Sequence, residues 1–152
     1  KPHGTGHFIN GMTVTGNSFK TIRGQALTRV DMVDTTHAQL DYGRFTDVNF
    51  HSNTYHAVQN QSQNPITVPV VENSAQATWE ADLSSYLPFK GEAKVVTAVM
   101  PDGAIRSNNN SAVYTLPYAS TSVGGDRQSI RLNWSESVKG KAFVTVRCDA
   151  PT

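Results

Sequence analysis

The chain has 152 residues, with 13 Lys plus Arg against 12 Asp plus Glu, a net charge of +1, and a charged fraction of only 16%, well under the roughly 25% usual for soluble globular domains. That length accommodates one domain or two small ones with a core that needs no disulfide. The balanced charge offers no basic stripe to track a phosphate backbone, which excludes nucleic acid as an expected partner and favours a neutral, hydroxylated one.

The chain opens on KPHGTG, which has neither an initiator Met nor the apolar core of a signal peptide, so it reads as a fragment or processed product. His3 and His7 stand four apart, but Gly4 and Gly6 disfavour the helix that would put both on one face, and no Glu supplies a zinc protease's carboxylate. No metal and no cofactor are expected. Met12 to Ile22 then reads MTVTGNSFKTI, and 36 residues later Val48 to Val58 reads VNFHSNTYHAV. In this offset Met12 falls on Val48, Val14 on Phe50, Asn17 on Asn53, Phe19 on Tyr55 and Ile22 on Val58. Each block is a short alternating strand, an Asn at a corner, and a second strand opened by an aromatic residue.

A strand, corner and strand that recur without an intervening helix make the pattern of a solenoid whose coils stack in register. Stacked coils sit about 4.8 Å apart, so Asn17 over Asn53 is predicted to form one rung of a side-chain ladder. The blocks also fit corners of two unrelated hairpins. Between them, Ala26 to Tyr42 is read as strand and loop, because Val30, Val33, Thr35 and Thr36 are β-branched and LTRVDMV alternates. His37, His51 and His56 read as surface residues. The polar run from Gln59 to Pro65 reads as a linker or crossover, dividing residues 1–64 from residues 65–152.

From Ile66 onward six strand-like runs follow: ITVPVV, QATWEADL, AKVVTAVM, SAVYTLPY, QSIRLNW and KAFVTVRC. Turn signals separate them at 72–74, 89–91, 101–103, 108–110, 124–126 and 139–141, which predicts a β-sandwich. Val95, Thr97 and Val99 alternate with Val96, Ala98 and Met100, and similar alternation in the last two runs supports a two-layer core. Pro69 and Pro117 cannot donate to a ladder and predict edge or bulged strands. Trp79 and Trp134 read as core. Cys148 is the only cysteine, which excludes a disulfide framework and a Cys-rich zinc site. With no run of about 18 apolar residues, no membrane insertion is expected.

The blocks TVTGNSFKTI and VNFHSNTYHAV resemble the last coils of a right-handed parallel β-helix of the pectate-lyase-like or glycoside hydrolase family 28-related kind. The passage ATWEADLSSYLPFKGEAKVVTAVMPDGAIR resembles the sandwich that follows such a helix in phage-type spike proteins, including head spikes of gene transfer agents. The resemblance implies an all-β chain, with terminal β-helix coils over 1–64 and a β-sandwich over 65–152. It further implies a homotrimeric spike, attached through a missing N-terminal region to a virion or virion-like particle, exposed outside the cell and engaging cell-surface polysaccharide.

Cleavage of a polysaccharide requires two carboxylates about 5–9 Å apart, or a base with a charge-neutralising group. Asp31, Asp34, Asp41 and Asp47 are available in the first part, but no spacing singles out a pair, and the carboxylates after residue 65 fall mostly at turns or outward positions. No G-x-S-x-G elbow occurs, and the Gly124-Gly125 pair follows no dinucleotide-binding pattern. No catalytic residue is assigned. Sugar binding needs only an aromatic face for the ring and polar side chains for its hydroxyls. Tyr86, Asp102, Arg106, Asn109, Tyr114, Tyr118, Asp126 and Arg127 supply these on expected loops. The leading expectation is a receptor-binding tip that recognises host capsular or surface polysaccharide without cleaving it. The alternatives are the C-terminal portion of a polysaccharide lyase or hydrolase, as in a tailspike depolymerase, and a purely structural trimerisation or folding cap.

Overall fold

In the computed structural model, which describes residues 1–150, the chain is all-β, with eleven strands and two single-turn 3-10 helices among those residues. Six short strands come first: β1 (Ile9–Asn10), β2 (Thr13–Thr15), β3 (Ser18–Lys20), β4 (Phe45–Thr46), β5 (Asn49–His51) and β6 (Thr54–His56). They pair in parallel as β1 with β4, β2 with β5 and β3 with β6. The register is the sequence offset: Val14 lies against Phe50 and Phe19 against Tyr55. The corners repeat too. Gly11 and Asp47 both have left-handed backbone (φ 72° and 49°), as do Gly16 and Ser52 (φ 69° and 56°), so each coil turns at the same two places, with glycine taking the conformation without strain in the first.

The offset holds through Thr21, whose N–H reaches the His56 carbonyl. It then breaks: Leu27, not Ile22, bridges to Val58, and Ile22 is 79% exposed. A turn around Arg23 and Gly24, both left-handed, inserts the extra residues. The expected strand in LTRVDMV is not formed. That stretch carries one isolated bridge and is otherwise irregular up to a 3-10 turn at Tyr42–Arg44, and within it Arg29 and Asp31 are buried and bond each other.

The polar run 59–65 is a crossover held at both sides, with Gln59 and Asn60 donating to the Leu27 and Thr28 carbonyls and Gln63 to that of Tyr86. After a cis Asn64–Pro65 peptide, two long strands carry the rest: β7 (Ile66–Asp82) and β11 (Ser129–Arg147), antiparallel over most of their length. Each absorbs two of the six expected runs. The signals at 72–74 and 139–141 are therefore irregularities within long strands, where the register shifts around Val138 and Gly140. Gly140 has φ +146°, and a Cβ there would meet the Ile105 Cδ1 at 2.9 Å, so a bend rather than a turn satisfies the local glycine.

On one side of this bend β11 pairs with β10 (Tyr118–Val123), on the other with β8 (Val95–Pro101), and at the bend itself with β9 (Arg106–Ser107). SAVYTLPY forms a strand only at its end. β7 is an edge strand, as Pro69 requires, and Pro117 stands just outside β10. Residues 130, 132, 134, 138, 142, 144, 146 and 148 of the β11 segment are all buried, and with Ile66, Val68, Val70 and Trp79 from β7 they form one core shared by both arms of the bent sheet. Trp79 and Trp134 lie within it, ring centroids 4.9 Å apart. In β8 the simple alternation is broken by a register shift, so that Val96 and Val99 face the core.

The parallel stack has its own small core of Phe45, Val48 and Phe50. It is joined to the bent sheet by two polar anchors and one aromatic one. Asp149, fully buried, accepts the Val48 N–H at 2.9 Å and Asn64 Nδ2 at 2.8 Å, and is paired bidentately with Arg147. Arg29, also buried, pairs with Asp31 and donates to the Ser84 and Leu87 carbonyls. Between them the Phe89 ring meets Phe45 and Phe50 edge-on, at 5.8 and 5.6 Å.

Candidate functional site

At the bend of β11 the stretch 101–118 runs across the surface as a loop built on short contacts. Its base is a narrow pairing: Val113 donates to the Ile105 carbonyl at 2.9 Å, Arg106 bridges Ala112, and Ser107 donates to the Ser111 carbonyl. The triple Asn closes this pairing as a turn. Asn109 Oδ1 accepts the Ser107 hydroxyl and the Ser111 N–H, Arg106 Nη1 donates to the Asn110 carbonyl at 2.9 Å, and Asn110 is left-handed at φ 66°. Asn tolerates that conformation better than most residues.

The result is a depression of about 270 Å³. Buried Ile105 and half-buried Val113 contribute apolar surface to it, while Tyr114 and Leu116 are 94% and 70% exposed. Asp102 stands beside it, held by Lys141 at 2.7 Å through its carboxylate and at 2.8 Å through its N–H. Tyr118, 74% exposed, opens β10 opposite Asn133, whose side-chain amide donates to the Tyr118 carbonyl. Asp102, Arg106, Asn109, Tyr114 and Tyr118 share this stretch of chain, but of the five only Tyr114 lines the depression, and Asn109 lines a separate hollow with Ser107, Glu136 and Ser137. An exposed aromatic face beside hydrogen-bonding side chains can stack on a sugar ring and hold its hydroxyls.

The other three candidates lie elsewhere. Tyr86 is half-buried against the main core, and its backbone is spent on Leu83 and Gln63. Asp126 and Arg127 occupy the turn between β10 and β11. There Asp126 accepts the Gln128 N–H and Arg127 pairs with Glu92 at 3.2 Å, facing a hollow shared with Tyr42 and Lys94.

Sequence reasoning missed a second pocket, of about 250 Å³, between the irregular segment 29–42 and the turn at 88–90. Arg29 and Asp31 lie at it, with Met32, Leu40, Tyr42 and Phe89. Asp31 accepts the Phe89 N–H and the Tyr42 hydroxyl donates to the Phe89 carbonyl. Both peptide groups of a left-handed residue (Phe89, φ 58°) are thereby fixed. Burial pushes the Tyr42 phenol up from its ordinary value, helped by the charge of Glu92. The only sequence signal for this pocket was the pair Arg29 and Asp31 two residues apart in a weakly charged chain.

The carboxylates available for acid–base work already have partners. Asp31 is committed as above. Asp34 is held down to about 2 by its bonds from Lys1 and Thr36, and Asp41 accepts the Gly43 N–H and faces Arg44 at 3.4 Å. His7 sits between the Gly4 carbonyl and the Asp41 N–H, while His3 stacks on His37 at 5.1 Å. Among the described residues no group of three or more His, Cys, Asp or Glu side chains could hold a metal ion, and no helix is long and apolar enough to cross a membrane. Compared with family models, with curated proteins and with solved structures, the chain matches none.

Proposed function

We propose that the chain is a non-enzymatic carbohydrate-binding tip that recognises a neutral or weakly charged surface polysaccharide through the stretch 101–118. Its fold, on this reading, is a short parallel β-helix ending in a β-sandwich made by one sheet bent over on itself, with residues 1–64 and 65–152 as the two parts. The observation that carries the reading is Tyr114, a tyrosine 94% exposed beside the depression at Ile105 and Val113. Burying so much aromatic surface is what a ligand would gain by docking there. A net charge of +1 supports a hydroxylated rather than a strongly ionic partner. The homotrimeric spike on a virion-like particle rests on the resemblance of the coil and sheet sequences alone.

The test is binding to a glycan array and to capsule-bearing cells. Tyr114→Ala and Tyr118→Ala should each weaken retention about tenfold, the equivalent of about 1.4 kcal/mol, without a change in thermal midpoint. Binding indifferent to capsule, or unaffected in both variants, overturns the reading. Release of reducing ends from purified capsule would instead favour a depolymerase.

A further inference from the structure

We propose that the depression beside Tyr114 selects sugars with a methyl-bearing substituent, an acetamido group or the C6 methyl of a 6-deoxy sugar, and holds that methyl against Ile105 and Val113. The inference rests on the saccharide reading of the stretch 101–118 and adds the class of sugar to it.

The lining decides the chemistry. Pro101, Ala104, Ile105, Ala112, Val113 and Leu116 give the hollow apolar side chains. Thr115 has the one aliphatic hydroxyl, and it is shared with that of Ser135 at 3.4 Å. Among the described residues no charged side chain and no side-chain amide lines it. Asp102 and Arg106 are engaged outside, with Lys141 and the Asn110 carbonyl. A plain hexose carries hydroxyls around its whole edge, and pushing that edge into such a hollow would leave them unpaired. A methyl group has no hydrogen bond to lose and gains from the apolar surface it covers.

Shape and position favour the same occupant. Ile105 is 4% exposed, its carbonyl accepts the Val113 N–H at 2.9 Å, and Gly140 lies so close behind that a Cβ there would meet Ile105 Cδ1 at 2.9 Å. The floor is therefore packed in place before any ligand arrives. Tyr114 is the next residue after Val113, one Cα step of about 3.8 Å away, so a sugar ring stacked on the tyrosine stands within a substituent's reach of that floor. A hollow of about 270 Å³ holds a substituent and part of a ring. It does not by itself supply the roughly 800 Å² per partner that a stable protein interface buries.

The full chain is titrated with two sugar pairs, L-fucose against L-galactose and N-acetylglucosamine against glucose, while NMR follows the Ile105 and Val113 methyls and the Tyr114 ring. In at least one pair the methyl-bearing sugar should bind about tenfold more tightly and shift both methyl signals. Which pair shows the preference tells 6-deoxy from acetamido. Val113→Thr, which replaces a methyl by a hydroxyl, should narrow that gap while the Tyr114 ring still responds. Equal binding within both pairs, lost in Tyr114→Ala, overturns this inference and leaves the saccharide site standing. No binding by any of the four also overturns it, and the glycan-array and capsule experiment decides the wider reading separately. Self-association through Tyr114 and Leu116 without sugar overturns it as well, since a second copy then fills the hollow.

Discussion

Asp149 takes bonds from three separate stretches of chain: Arg147 beside it, Asn64 from the crossover and the Val48 N–H from the parallel stack. Burial by itself would raise its carboxyl, but those three donors outweigh burial and hold it below the ordinary 3.8. The folded state therefore binds its proton less readily than the unfolded chain. Stability from this group is complete above 3.8 and is lost as pH falls through the lower folded value. Asp34, held at about 2 by Lys1, adds a smaller surface effect of the same sign. Thermal unfolding should be flat in this respect from neutral pH down to about 5 and fall between about pH 4 and 2. Asp149→Ala strands Arg147, Asn64 and the Val48 N–H together, and should cost about 3–5 kcal/mol in urea unfolding at neutral pH, with a shallower acid limb than the parent. The one local signal for this residue was Arg147 two positions before it; its other partners are 85 and 101 positions away, beyond the reach of any local pattern. Trp79 and Trp134 were legible because strand alternation is a local property that burial then obeys.

Among the elements, the coil repeat was legible for a related reason. Parallel stacking copies residue type onto residue type, so the pairing register is written in the sequence as an offset, and both strand pairs follow it from Thr13 to Lys20. The corners at Asn17 and Asn53 were legible as well; what a comparison of side chains could not supply was their backbone, where Gly11 and Gly16 correspond to Asp47 and Ser52. Glycine, aspartate and serine look unlike one another, yet all four hold left-handed backbone. Nor could it supply the break after Thr21, set by a turn in only one copy. The long strands misled for the opposite reason: polar residues at 72–74 and a Gly at 140 are turn chemistry, but tertiary pairing between β7 and β11 carries both strands through them. The ladder itself can be tested. Asn53→Ala removes an acceptor of two bonds from Asn17 and a donor to the Val14 carbonyl, and should cost about 1–2 kcal/mol. Its effect should be local, with faster amide exchange at Asn17 and unchanged exchange in β11.

For the whole molecule, the question is what makes a two-coil stack and a bent antiparallel sheet unfold as one. The stack's buried apolar core consists of Phe45, Val48 and Phe50, with Ile9, Val14, Leu40 and Tyr42 packed around it, too little to offset the ordering of some sixty residues at about 1–2 kcal/mol each for the backbone alone. Its stability must be borrowed across the junction. Phe89 is the apolar link: it belongs to the turn after the β7 arm, yet its ring completes the stack's core between Phe45 and Phe50. The turn holds it in a left-handed conformation through Asp31 and Tyr42. That arrangement opposes independent motion of the two parts, because withdrawing the ring breaks a buried hydrogen-bonded cluster as well as an aromatic contact. Phe89→Ala should destabilise the chain by about 3 kcal/mol or more and, beyond that loss, separate two transitions. Amides around Phe45 to Phe50 should open at lower denaturant than those of Ile130 to Val146, while in the parent both sets open together. If the variant still unfolds in one step with all amides exchanging in parallel, the Arg29 and Asp149 anchors alone couple the two parts.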